Sequence, residues 1–214
     1  MLSGDAISEF LGVLNNRPRA LPKLGETDME LEKYRKKRNF SKTPEPQGTA
    51  GGRSGQYFVV QKHQASHLHY DFRLQVGEAL KSWAIPKGPS IDPSHKRLAI
   101  QVEDHPIEYR DFEGVIPPGE YGAGTVMVWD FGVYGLLEGQ DPQKSIQEGR
   151  IRFRLEGKKL KGEFILTKTK YQGNRNSWLL IKGNDTFARK EYDITKEQVK
   201  SAKTGLTLKE IRQL

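Results

Sequence analysis

The sequence predicts a mainly β protein, a compact β-barrel of about eight strands with one or two short flanking helices, and three observations carry that expectation. Between Tyr57 and Tyr192 the chain breaks into eight short runs rich in branched and aromatic residues. Clusters of Gly, Pro, Asn and Asp separate these runs, as tight turns require. Within several of them apolar and polar residues alternate, the period of a strand with one buried face. Strands at this spacing close into a barrel or a sandwich.

Taken in order, residues 1–56 differ from the rest and are expected to form a basic N-terminal arm with short helices and a flexible linker. DAISEFLGVLNN has the composition of a short amphipathic helix with Asp5 as its N-cap. RPRALPKLGE is Pro-rich and irregular. MELEKYRKKR is helical, with Glu30 and Glu32 ahead of a basic second half, the order the helix dipole favours. TPEPQGTAGGRSG reads as extended and then flexible. The barrel is expected over residues 57–192, built from YFVVQKH, LHYDFRLQV, LKSWAIP, RLAIQVED, GTVMVWDFGVYGLLE, GRIRFRLEG, GEFILTKTK and SWLLIKG. One short helix, DPQKSIQEG, interrupts the series. Residues 193–214 form a C-terminal tail, helical or frayed, and there is no internal repeat.

Composition narrows the function. The chain has 214 residues, no cysteine, and 35 Lys plus Arg against 27 acids, a net charge of +8. A polyanionic partner suits that balance. Without cysteine there is no disulfide framework, zinc ribbon or thiol nucleophile, so a reducing cytoplasmic setting is expected. No apolar run approaches the ~18 residues of a membrane span, and the start lacks the pattern of a signal peptide.

Four of the five histidines fall in two stretches, QKHQASHLHYDFRL and LAIQVEDHPIEY. Along an extended chain, His69, Asp71 and Arg73 share one face while Tyr70, Phe72 and Leu74 share the other. His69 and Asp71 then lie about 6.5–7 Å apart at the backbone. His63 lies six residues before His69 and has the same parity. Two imidazoles and a carboxylate without sulfur suit manganese, iron or zinc. Arg73 on that face points to an anion, since a guanidinium binds phosphate in bidentate fashion; a salt bridge to Glu103 is the plain alternative. By the same period Arg97, Glu103 and His105 are expected on one face of the second stretch, with Leu98, Ile100 and Val102 facing the core. Arg97 and Lys87 extend the anion site, Glu103 orients a histidine or arginine, and His105 and Tyr109 face the phosphoryl oxygens as general acid and hydrogen-bond donor. His67 and His95 are expected to be solvated. IPPGEYGAGT lacks the lysine and helix of a P-loop and reads as a tight turn bordering the cleft.

Basic charge gathers again over residues 150–175, where nine Lys/Arg face only Glu156 and Glu163. Arg150, Arg152 and Arg154 alternate on one strand, a stripe suited to a phosphate backbone. Two other readings use parts of this pattern. His69, Asp71 and His105 have the ligand types of a non-haem iron oxygenase, and the basic stripe alone fits a non-catalytic nucleic-acid-binding barrel.

Longer motifs add a family. FVVQKHQASHLHYDFRL, LKSWAIPKGPSIDPSHKRLAIQVEDHPIEYRDFEGVIPPGEYGAG and the TVMVWD that follows closely resemble the 3′-phosphoesterase module of bacterial DNA ligase D. The likeness runs from near LEKYRKKRNFSKTPEPQG to about residue 192. It implies a β-barrel enzyme that trims the 3′ ends of broken DNA in end joining. A manganese-dependent phosphodiesterase step removes a terminal ribonucleoside, and a phosphomonoesterase step leaves a 3′-hydroxyl; other divalent ions are compatible. By position, the resemblance implies His63, His69 and Asp71 as metal ligands. It implies Arg73, His105, Tyr109 and Arg97 as phosphate-binding and catalytic groups, supported by Lys87 and Glu103, with Arg38 and Glu45 contributed by the amino-terminal segment. The chain departs at Asn39, where the family commonly has an aspartate. No lysine stands in the K-x-D-G setting of a nucleotidyltransferase, so a free-standing form is expected, with DNA or DNA/RNA 3′ ends as substrate and a separate ligase or the end-binding protein Ku as candidate partners.

Overall fold

The computed structural model describes residues 26–48, 55–137 and 141–214. The expected helix DAISEFLGVLNN, the RPRALPKLG stretch and most of the GTAGGRSG linker lie outside them. Helix α1 spans Glu26–Lys36, and ten strands follow. They are β1 (Tyr57–Gln64), β2 (Leu68–Val76), β3 (Ala79–Ile85), β4 (Lys96–Gln101), β5 (His105–Pro106), β6 (Gly114–Ile116), β7 (Gly124–Leu136), β8 (Arg150–Gly157), β9 (Lys161–Lys168) and β10 (Ser177–Lys182). The strand order is β1-β2-β3-β4-β10-β9-β8-β7, and β7 returns to β1, so eight antiparallel strands close into a barrel. The short β5 and β6 pair outside this circle, with β3 and β7.

Period-2 patterning fills the lumen with large rings. Phe72 stacks on Phe153 with centroids 5.8 Å apart, Trp83 meets Trp178 edge-on at 5.8 Å, and Tyr70 meets Trp129 at 5.3 Å. All six are buried in one cluster with residues from every wall of the barrel. Truncating one such ring to alanine costs about 3–5 kcal/mol.

Strand β4 reverses the expected facing. Ile100 pairs with Ala84, which pairs with Asp71, so Ile100 shares the outer face with Asp71. Ala99 and Gln101 face inward instead. Ala99 lies opposite Trp178, and Gln101 lies opposite Trp83 and accepts a 3.1 Å hydrogen bond from the Trp178 indole. Two indoles occupy this part of the lumen, so the inward positions of β4 take a small residue and a hydrogen-bonding one. The apolar Leu98 and Ile100 are displaced outward.

The remaining elements brace the outside. Helix α2 (Pro142–Gln147) begins at Asp141, whose side chain accepts from the amides of Gln143 and Lys144, and Pro142 occupies its first turn, where no amide is needed. Two one-turn helices, α3 (Ile194–Glu197) and α4 (Leu208–Ile211), lie in the C-terminal segment. Their Ile194 and Ile211 insert into the barrel's core cluster. On the outer wall of β3 a second small cluster joins Tyr34 of α1, Leu80 and Tyr109, with Phe40 and Phe112 packed against it. This cluster holds the amino-terminal segment against the barrel.

Candidate metal and phosphate site

The β1–β2 pair builds the site by register. His63 stands directly opposite His69, Gln61 opposite Asp71, and Val59 opposite Arg73. All point to the outer face, because their neighbours Val60, Phe72 and Leu74 take the core. The two imidazole rings lie 4.8 Å apart. His63 Nδ1 and His69 Nε2 are each 3.7 Å from Asp71 Oδ2, and one donor atom from each residue falls within 4.8 Å of the others.

Backbone carbonyls choose the tautomers. His63 Nε2 lies 2.9 Å from the Gly122 carbonyl oxygen, and His69 Nδ1 lies 3.0 Å from that of His67. A carbonyl only accepts, so these nitrogens carry the protons, and the nitrogens facing Asp71 are left with bare lone pairs. Burial by itself raises the Asp71 carboxyl, but its charged neighbours, the Arg73 guanidinium foremost, outweigh it and hold the group below the usual carboxylate range. Two neutral nitrogens and a carboxylate, sulfur-free and converging, fit a divalent cation of the manganese, iron and zinc class.

Cations for an oxyanion stand beside this triad. Arg73 is 2% exposed. Its Nη2 lies 3.3 Å from Asp71 Oδ2, its Nε donates to Gln61 Oε1 at 2.8 Å, and its Nη1 lies 3.0 Å from His105 Nδ1. His105 is held by its pairing with Leu80, with Nδ1 2.9 Å from the Glu103 carbonyl. Its Nε2 lies 3.3 Å from Arg38 Nη2. Burial, together with Arg73 and Arg38, depresses the His105 pKa well below the usual value. The ring is therefore neutral. If Nδ1–H donates to the Glu103 carbonyl and Nε2 accepts from Arg38, the Arg73 Nη1 donor that abuts Nδ1 has no acceptor there. It is placed to meet an incoming anion.

The amino-terminal segment closes the other side. Glu45 is buried and accepts from Arg38 Nε at 2.8 Å, the Tyr109 hydroxyl at 2.9 Å and the Thr43 hydroxyl at 2.8 Å. Arg38 stacks over the Tyr34 ring at 3.8 Å and reaches Glu103 at 3.5 Å. Burial and then the neighbouring Glu45 charge push the Tyr109 hydroxyl well above the usual phenol range, so it stays a proton donor. Arg38, Glu103 and Tyr109, with His105, Arg73 and the triad, line a cavity of about 300 Å³, and Glu45 lies behind it.

Nine of the eleven residues singled out from sequence meet at or directly behind this cavity; two do not. Lys87 is exposed in the turn after β3 and does not line it. Arg97 has the inward parity of Ala99, opposite to the site, because β4 is turned over by the indoles. Its Nε is buried without a partner. His105 is also absent from the group of metal-donor residues, since guanidiniums face both its nitrogens; an oxygenase triad of His69, Asp71 and His105 does not form. The glycine-rich turn does border the cleft, through Tyr121 and Gly122. Asn39 is turned away, its side chain accepting from the Ser41 amide and hydroxyl. Sequence reasoning missed Gln61, which shares the parity of His63 and was open to the same argument. It also missed Tyr34 and Lys37, which only the docking of α1 brings near: Lys37 bonds Glu103 and Tyr121 at 3.1 Å each.

Buried guanidiniums waiting beside a carboxylate–imidazole triad, on a wall open to large substrates, define a hydrolase of phosphoester bonds. Comparison with known proteins names the group. Residues 61–168 match the DNA ligase D 3′-phosphoesterase domain, and the chain belongs to that family. It is 47% identical over 183 residues to the multifunctional non-homologous end joining protein LigD of Pseudomonas aeruginosa, covering 83% of this chain and 22% of the relative. It is 44% identical over 151 residues to the corresponding DNA repair protein of Mycobacterium tuberculosis, covering 70% of this chain and 19% of the relative. The chain thus spans about a fifth of the length of these relatives. No helix among the described residues is long and apolar enough to cross a membrane.

Proposed function

We propose that this phosphoesterase trims nucleic-acid 3′ ends, removing a 3′-terminal ribonucleoside and then the 3′-phosphate, in the service of end joining. The observation that carries the reading is the pair of bare imidazole nitrogens and the Asp71 oxygen converging within 4.8 Å next to Arg73. His63, His69 and Asp71 would hold a divalent cation, manganese by family resemblance, which supplies Lewis-acid charge when bound. Arg73 Nη1 and Arg38 meet the phosphoryl oxygens, offsetting the charge that grows there. His105, kept neutral, accepts from Arg38 and so positions that guanidinium rather than acting as a charged acid. Glu45 and Tyr109 fix Arg38, and Glu103 balances it. The end-joining names of the relatives support DNA ends as substrate; a cytoplasmic setting and a separate ligase or Ku as partner belong to the same proposal, from the family resemblance and the lack of cysteine.

The test is a labelled primer–template bearing one 3′ ribonucleotide, incubated with manganese, magnesium or chelator, with products resolved by length and end group. Activity should vanish with chelator and in His69→Ala and Asp71→Asn while the proteins keep their circular dichroism. Full turnover by either folded variant would discredit the ligand set.

A further inference from the structure

A second cavity, of about 330 Å³, opens at the barrel end formed by the β8–β9 hairpin and the segment after β10. Its lining includes Lys158, Lys159, Lys161 and Arg189, and an adjoining cavity adds Arg154 while sharing Lys161 and Phe187. Five cations line the two cavities, and Glu156 is their single carboxylate.

Apart from Lys159, the charge forms no ion pair within the described residues, and Lys158, Lys161 and Arg189 are exposed. Of the acids beside the pocket, Asp130 is taken by the amides of Lys159 and Leu160, and Asp185 is already committed to Lys182 at 2.6 Å and to the amides of Glu163 and Phe187. The hydrogen bond from its amide also holds Phe187, a residue 41% exposed that lines both cavities. Lys159 is held differently: its ammonium donates to the Gln198 and Lys200 carbonyls and lies over the Trp129 ring, and burial, opposed in part by Asp130 and reinforced by Lys62, brings it down to about 8. Lys62 directly precedes His63. Antiparallel order puts the β1–β2 turn and the β8–β9 hairpin at one end of the barrel.

We propose that this basic pocket is a second nucleic-acid subsite, holding a backbone phosphate of a single strand between Lys161 and Arg189 with the neighbouring base stacked on Phe187. Phosphate contacts of this kind give salt-dependent affinity without sequence preference, and an exposed ring supplies a stacking platform. The strand's identity rests on the reading above: it is the strand leading away from the terminus in the cleft, running round the barrel end past Lys62.

Fluorescence anisotropy with a labelled single-stranded deoxyoligonucleotide of about 12 nucleotides tests this with chelator present. Lys161→Glu/Arg189→Glu should weaken binding at least ~10-fold and reduce the slope of log affinity against log salt by about 1.4, two contacts' worth. Phe187→Ala should weaken it about 5-fold or more. The control Lys209→Glu/Arg212→Glu, an equal charge change on exposed residues in and just after α4, should cost less than about 2-fold by the screening of remote charges. Equal losses in control and test, or an unchanged salt slope in the test variant, would overturn the subsite. Equally tight binding of a base-free polyphosphate of matched charge, with Phe187→Ala neutral, would overturn the stacking role. Because chelator silences hydrolysis, a chain that binds here yet hydrolyses nothing with metal would sink the end-trimming reading and leave this one standing.

Discussion

Removing the Glu45 carboxylate should undock the amino-terminal segment while leaving the barrel folded. Its side chain is 0% exposed and that of Arg38 4%. In Glu45→Ala the guanidinium loses its one short ion pair and keeps the Tyr34 carbonyl at 3.1 Å, His105 Nε2 at 3.3 Å, Glu103 at 3.5 Å and its stacking on the Tyr34 ring. Deleting one partner of a buried pair costs about 3–5 kcal/mol, and the stranded Tyr109 hydroxyl adds part of a further ~1–3 kcal/mol. The two overlap, so about 4 kcal/mol is a fair figure, nearly a thousandfold in the docking equilibrium. Glu45→Gln keeps an acceptor and should lose about half as much. The barrel's core lies on the other side of the sheet, so the loss appears locally. Hydrogen exchange read by mass spectrometry should show protection over residues 31–48 falling by two to three orders of magnitude (roughly, from that energy), with β1 and β2 unaffected. The specificity constant should fall with it as Arg38 leaves the cleft. Equal loss of protection across β1, or none over 31–48, would refute the reasoning.

Other outcomes follow from the same geometry. Arg73→Lys cannot span Asp71, Gln61 and His105 at once, so kcat/KM should drop by about a hundredfold or more with manganese binding retained, measured by calorimetry; lost metal binding would mean that Arg73 shapes the triad instead. His105 has a depressed folded pKa, so below the ordinary histidine value of about 6.5 the unfolded chain takes up the extra proton first. Its contribution to stability is complete above that pH and declines on acidification, by at most about 1.4 kcal/mol per pH unit, until the folded ring protonates. Urea melts at about pH 7.5 and about pH 5.5 should therefore show a shallower pH dependence in His105→Gln than in the parent. Gly124→Ala would set a Cβ 2.2 Å from the Gln64 carbonyl oxygen. Backbone cannot give way there, so we expect a loss of about 2 kcal/mol or more, with weaker metal binding because Gly122 nearby holds His63; an unchanged melting temperature would contradict the packing.

What the sequence made legible follows from the strand period. In β2 alternate residues separate a ring-rich core face, Tyr70, Phe72 and Leu74, from a chemical face, His69, Asp71 and Arg73, and both halves of that reading stand in the structure. The same rule misled at β4. It ran one phase from Arg97 through His105, although the strand stops at Gln101 and His105 belongs to a separate short strand. It also took the greasier face as the inner one, where two tryptophans had already filled the lumen. No periodicity encodes that occupancy. The roles of Arg38 and Glu45 came through family likeness alone, since their meeting with Tyr109 depends on a loop folding back across the wall.

The solid interior has a consequence for traffic. With Phe72, Trp83, Phe153 and Trp178 plugging the lumen, nothing threads this barrel, and the proposed substrate, a bulky polymer terminus, has to come alongside, as a ship to a quay. Such a berth needs no hatch to open. Residence is governed by how firmly the hull is moored, and the ironwork for mooring is bolted to the same planks that keep the interior dry.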